Sequence, residues 1–167
     1  FFADPVVNID PDAETLADIA LLTADFVQDL GIEPRIAMLS FSNFGSARHP
    51  ASEKMQEAAA RVTELRPDLE IDGEMQADTA VNTEILQSQY PFSSLKRAAN
   101  VLIFPNLAAA NSSYKMLSEL GGAEVIGPIL LGMRHPVQFL QRGSTVQDVV
   151  NLVTLASVDA QARAAQE

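Results

Sequence analysis

Strands alternating with amphipathic helices predict an α/β fold, with a mainly parallel sheet covered by helices on both faces as three α/β/α layers. Two short apolar runs, Arg35–Ser40 and Val101–Phe104, read as buried strands. The segments between them carry helical periodicity and are cut by Pro or Gly where a helix must stop. Hydrophobic residues make up 47% of the 167, enough for a sizeable core. There is no internal repeat and no low-complexity tract, so the length suits one ordinary domain.

Each element has its own signal. Phe1, Phe2 and Ala3 read as the end of a buried strand, and the chain is expected to be a piece of a longer polypeptide. Asp10, Pro11 and Asp12 supply an N-cap, a first-turn proline and an acid facing the helix dipole. Leu16, Ile19, Ala20, Thr23, Phe26, Val27 and Leu30 then recur at helical spacing, and Gly31 stops the run. Pro50 opens a second helix that Pro67 ends near Arg66. A short strand is expected at Leu69–Ile71, a helix at Asp78–Gln89, and a helix at Ala108–Leu120 stopped by Gly121 and Gly122. Glu124–Leu131 is apolar, but Pro128 makes it an edge strand or one that breaks there. Thr145–Ala165 reads as a long final helix. Strand order is not readable.

Charge narrows the function. The net charge of −11 argues against a nucleic-acid partner, which needs a basic face. No apolar run is long enough to span a bilayer, so no membrane partner is expected. Cys is absent, which excludes disulfides, thiolate metal sites and a cysteine nucleophile, and suits a cytoplasmic location. His49 and His135 lack ligand-spaced partners, so no metal site is expected. The acids crowd residues 1–84, with 17 acids against 5 bases, whereas residues 85–147 hold only Glu119 and Glu124 against five bases. That basic segment suits an anionic ligand, although ordinary surface charge would look the same.

Ligands of open α/β sheets collect beyond the carboxyl ends of the strands. Three segments there or nearby could serve. Ser40–Ser46 (SFSNFGS), with Arg48, His49 and Pro50 at a helix start, offers hydroxyls, a Gly for close approach and helix N–H groups. It lacks the P-loop spacing, and the same residues also suit a plain cap and turn. Pro105–Lys115 places Asn111, Ser112 and Ser113 in a helix where such residues are poor formers, so a contact or cap is expected. Gly132–Ser144 holds Arg134, His135 and Arg142 with no acid from Val125 to Gln147, and Arg suits phosphate by its planar fork. Asp148 fits a capping box first and a catalytic base second. The residues alone name no reaction.

Six stretches, Met38–Ser46 (MLSFSNFGS), Ile71–Asp78 (IDGEMQAD), Phe104–Leu107 (FPNL), Asn111–Lys115 (NSSYK), Ile126–Met133 (IGPILLGM) and Gln141–Ser144 (QRGS), resemble motifs of phosphate acetyltransferases. Phe2–Pro11 (FADPVVNIDP) and this version of the first loop are most similar to the domain of that family fused behind bacterial NADP-dependent malic enzymes. The likeness spans nearly the whole chain but only the carboxy-terminal half of the family's domain.

That resemblance implies a two-lobed, isocitrate-dehydrogenase-like architecture. Residues 1–128 would form most of the continuous lobe, and 129–167 would return to a second lobe outside this sequence. It implies a cleft between lobes and a homo-oligomer, typically a dimer. Active transferases of this pattern carry Ser-Arg-Gly, an Asp in the following helix, and an Arg in the helix after the NSSYK-like motif. Arg142, Gly143 and Asp148 match, whereas Gln141 replaces the serine and Glu119 the helix arginine. An acid in place of an arginine near phosphate should cost at least ~2–4 kcal/mol of electrostatic stabilisation. The resemblance therefore implies a non-catalytic or weakly catalytic regulatory domain that binds acetyl-CoA or a similar anionic small molecule. Ser46, Asn111, Ser112, Arg134 and Arg142 are its candidate ligand residues, with Asp148 catalytic if turnover survives. NADP and a divalent metal are implied only for the malic-enzyme part outside this sequence. An active transferase and a ligand-free dimerisation scaffold are the alternatives.

Overall fold

A computed structural model describes residues 1–164 of the chain. Strands β1 (Phe2–Ala3), β2 (Arg35–Leu39), β3 (Glu70–Met75) and β4 (Val101–Ile103) form one sheet in the order β1-β4-β2-β3. Every pairing is parallel, with Ile36 opposite Val101 on one side and Ile71 on the other. The side chains of β2 alternate between two cores. Ile36 and Met38 meet helices α1 (Ala13–Asp29) and α2 (Pro50–Leu65), whose Leu16, Ala20, Val27, Met55 and Val62 are buried. Ala37 and Leu39 face the opposite core, formed with α3 (Ala77–Val81), α4 (Thr83–Gln89) and α5 (Leu107–Gly121). Three layers result because β2 and β4 are buried on both sides. Burying each large core side chain contributes about 1.5–3 kcal/mol, so the two cores together hold the sheet between its helices.

The caps explain most helix boundaries and correct some expectations. Asp12, not Asp10, caps α1 by accepting from Thr15 N at 2.8 Å, while Asp10 instead pairs with Lys54. Gly122 ends α5 in the left-handed conformation, where a Cβ would be strained. The single helix expected at Asp78–Gln89 is two, because Asn82 leaves helical geometry and caps α4 through Glu84 N and Ile85 N. Strand β3 runs to Met75, well past the expected Ile71. It carries a bulge opposite Met38 and Leu39, so that Glu74 and Met75 are both buried in succession.

Residues 124–131 do not form the expected strand. Pro128 lacks an N–H, Gly127 turns at a φ of +137°, and among the described residues no strand pairs with this stretch. An irregular stretch leads instead to α6 (Val146–Ala164), which packs on α1 across a groove lined by Leu22, Asp25, Met133 and Arg163. The expected end of that helix at Ala165 lies outside the described residues. Among the described residues, no helix is long and apolar enough to cross a membrane.

Candidate functional site

Three connections meet at the carboxyl edge of the sheet: β1–α1, β2–α2 and β4–α5. Lys54 of α2 ties them together, donating to Asp10 Oδ1 at 2.9 Å and to the Pro105 carbonyl at 3.1 Å. Leu107 N donates to the Ile9 carbonyl, and Asn111 Nδ2 to the Pro5 carbonyl at 3.1 Å. Asp4 organises the β1–α1 connection by accepting from Val6 N, Val7 N, Asn8 N and Asn8 Nδ2. Burial pushes its carboxyl pKa up, but these four hydrogen bonds to the charged form outweigh burial and hold it below the ordinary value.

The β2–α2 loop is built around a buried acid. Glu74, at 0% exposure, accepts on Oε1 from Ser42 Oγ and from Gly45 N, each at 2.7 Å. Its backbone carbonyl accepts from Phe44 N at 2.9 Å. Ser42 Oγ in turn accepts from Ala47 N at 3.0 Å and lies 3.2 Å from Ser46 Oγ. Asn43 and Gln76 exchange two hydrogen bonds, and Gln76 Nε2 donates to the Phe41 carbonyl. Phe44 sits at a φ of +47°, unusual for a bulky side chain, and its ring packs against Tyr90 and Phe92 at 5.1 and 5.0 Å. Gly73 is needed one residue before the acid: a Cβ there would lie 2.6 Å from the Met38 carbonyl oxygen.

This geometry revises the expectation that the loop and helix amides stand free for an anion. Phe44, Gly45, Ser46 and Ala47 all donate their N–H within the loop or to Glu74. At the start of α2, His49 Nδ1 accepts from Ala51 N, and the His49 carbonyl from Ser52 N and Glu53 N. What remains outward is side-chain chemistry. Arg48 lines an open pocket with Phe44, Gly45, Ser52 and Gln56.

The candidate residues fall into two groups. Ser46 is exposed on the loop, accepting from Asn43 N, and Asn111 and Ser112 lie on the first turns of α5, so these share the carboxyl edge. Arg134 does not join them. It lies exposed beside α6, where Arg163 donates to its carbonyl and to that of Met133, near Asp29 at the far end of α1. Arg142 is exposed in a turn closed by Ser144 N and the Gln141 carbonyl. Asp148 forms the capping box: Oδ2 accepts from Thr145 N at 2.7 Å and from Thr145 Oγ1 at 2.9 Å, while Thr145 Oγ1 accepts from Asp148 N. The Thr145 backbone and hydroxyl bonds hold its carboxyl below the ordinary aspartate value.

The profile of the phosphate acetyl/butaryl transferase family matches residues 1–157. The chain belongs to this family. It is 48% identical over 162 residues to the NADP-dependent malic enzyme of Escherichia coli (strain K12), covering 96% of this chain and 21% of that protein. The phosphate acetyltransferase of Bacillus subtilis (strain 168) is 43% identical over 159 residues, covering 95% and 49%. Among solved structures, the EutD phosphotransacetylase from Staphylococcus aureus superposes with a TM-score of 0.91 at 38% identity, covering 95% of this chain and 49% of that one. A phosphotransacetylase from Streptococcus pyogenes gives 0.90 at 43% identity. The chain thus spans about half the length of the Bacillus subtilis phosphate acetyltransferase and about a fifth of the Escherichia coli malic enzyme.

Within the family's frame, the residues that sequence reasoning passed over are Glu74, Lys54 and Asp4. Glu74 left one signal, an Asp-Gly-Glu run inside a stretch that otherwise reads as strand. A carboxylate there needs partners. Among the described residues, no group of three or more His, Asp or Glu side chains is placed to hold a metal ion.

Proposed function

We propose that the chain is a regulatory domain, non-catalytic or weakly catalytic, of an NADP-dependent malic enzyme that oxidatively decarboxylates malate to pyruvate elsewhere in the protein. Its ligand is acetyl-CoA or a similar anionic small molecule. The observation that carries the reading is the paired departure at Gln141 and Glu119, in a chain 48% identical to a malic enzyme segment. Thiolate attack on acetyl phosphate needs the phosphate charge held in the transition state, and Glu119 would oppose it. Arg142 keeps a planar fork suited to a phosphate of the ligand.

On this reading, residues 1–128 are most of one lobe and 129–167 lead into another. Val146, Val150 and Val153 follow one another along α6 and remain exposed at 82%, 51% and 60%, as a helix awaiting an apolar neighbour would be. Ser46, Asn111 and Ser112 would meet the ligand from the sheet edge, and Arg134 and Arg142 would reach it only from the segment beyond residue 128. Such an assembly is a homo-oligomer, and regulation requires the ligand to bind two of its states unequally. NADP and the divalent metal belong to the malic-enzyme part.

A working phosphate acetyltransferase is the second reading, favoured by Arg142, Gly143 and Asp148 standing at the matching positions and by 43% identity to such an enzyme. Thioester formation from acetyl phosphate and CoA, measured on the intact protein, decides between them. Acetyl-CoA binding without turnover supports the regulatory domain. Turnover at a rate ordinary for enzymes overturns it.

A further inference from the structure

Glu74 is a completely buried acid with one oxygen, Oε1, gripping the β2–α2 loop and the other, Oε2, lacking any hydrogen-bond partner among the described residues. A buried acid half satisfied in this way is costly, and its burial calls for a role beyond filling the core. The hydrogen-bond directions supply one. Gly45 N and Ser42 Oγ both point at Oε1, so Ser42 has spent its only proton on Glu74. In the 3.2 Å contact between Ser42 and Ser46, the donor must therefore be Ser46. Ser46 also accepts from Asn43 N, and Ser42 also accepts from Ala47 N. The Glu74 side chain thus sets the hydroxyl directions of Ser42 and Ser46 and pins the amides of residues 45 and 47, directly or through Ser42, while its backbone carbonyl holds that of residue 44.

We propose that Glu74 is the positioning residue of the ligand loop, orienting Ser46 and the Gly45–Ala47 backbone through Ser42 so that the loop is preformed before the ligand arrives. This rests on the reading that Ser46 meets the ligand: with its proton given to Ser42 and one lone pair taken by Asn43 N, Ser46 offers a remaining lone pair to a hydroxyl or amide N–H of acetyl-CoA rather than to its phosphates. Preorganisation of this kind gains affinity by removing the cost of ordering the loop on binding. Glu74 touches no ligand itself. Gly73 is what lets β3 pass against Met38 at the bulge and deliver the next side chain under the loop.

The test uses the intact protein, acetyl-CoA as the probe, and the variants Glu74→Gln, Ser46→Ala and their combination. Glu74→Gln keeps the shape, but its amide either buries two unpartnered hydrogens where Oε2 stood or, flipped, turns them against the Ser42 and Gly45 donors. It is expected to weaken acetyl-CoA binding about tenfold or more, the loss that a charge-assisted hydrogen bond implies. The double variant should lose less than the sum of the two single losses, because both act in part through one hydroxyl. Amide exchange at Gly45 and Ala47 should quicken in Glu74→Gln while exchange at Ile36 and Ile103 stays as it was. A loss of affinity that merely adds to that of Ser46→Ala, or unchanged exchange at Gly45 and Ala47, overturns the proposal. Affinity left intact by Ser46→Ala overturns instead the reading of the loop as the ligand site. Should Glu74→Gln fail to fold, Ser42→Ala cuts the same relay while sparing the Glu74–Gly45 bond, so acetyl-CoA binding should weaken and exchange quicken at Ala47 but not at Gly45, and unchanged exchange at Ala47 overturns the proposal.

Discussion

Replacing Gly73 by Ala should destabilise the domain more than any ordinary glycine substitution. A Cβ there would stand 2.6 Å from the Met38 carbonyl oxygen, 2.8 Å from Met38 Cβ and 3.2 Å from Met38 Cα. Two of these atoms are backbone of the central strand β2, so relief by rotating a side chain is closed. The φ of +140° adds strain of about 1–3 kcal/mol for a residue bearing a Cβ. Overpacking adds about 1–3 kcal/mol more. The stiffer unfolded chain offsets about 0.4–1 kcal/mol. The net loss is about 2–5 kcal/mol, against a total stability for typical domains of about 5–15 kcal/mol. With a urea m-value of about 2 kcal/mol/M, the midpoint should fall by about 1–2.5 M. Urea titration followed by far-UV circular dichroism reads this directly. A midpoint within about 0.2 M of the unaltered protein would show that β3 can move off β2 at little cost, and would refute the close approach on which the placement of Glu74 depends.

Three further outcomes follow from the same contacts. Asn82→Ala removes the cap accepting from Glu84 N and Ile85 N and should cost about 1 kcal/mol, read as a lower thermal midpoint. The Asp148 carboxyl is held below its ordinary pKa, so the capping box is present above the unfolded value near 3.9 and is lost as pH falls through the lower folded value. Protection of the Val149 amide, relative to its intrinsic exchange rate, should therefore decline between about pH 5 and pH 2, and Asp148→Asn should flatten that dependence; an identical decline in the variant would refute the assignment. Arg142→Ala should weaken acetyl-CoA binding about tenfold if its guanidinium meets a phosphate, and an unchanged titration removes it from the candidate ligand residues.

Much of the fold was readable because its signals are local. Pro50 can open a helix but not continue a strand ladder, and Gly122 tolerates the left-handed turn after α5. The polar loop after β2 was likewise recognisable from its Ser, Asn and Gly content beside a buried run. The break at Asn82 was missed because helical spacing continues across it, and only the side chain's bonds to Glu84 N and Ile85 N reveal a cap. Residues 124–131 looked like a strand because apolar content does not show whether a partner strand exists.

By itself, the sequence determined the layered α/β class, the helix stops that Pro and Gly mark, and the family, since each is a property of residue types at set spacings. Only the tertiary structure decided the order β1-β4-β2-β3, the separation of Arg134 from Ser46, and the burial of Glu74 beneath the loop. These depend on long-range contacts: Glu74 and Ser42 are 32 residues apart, and the hydrogen bond between them exists only because β2 and β3 pair in parallel with a bulge. A carboxylate's partners are set by what the folded chain brings beside it, and no local pattern of residues encodes that.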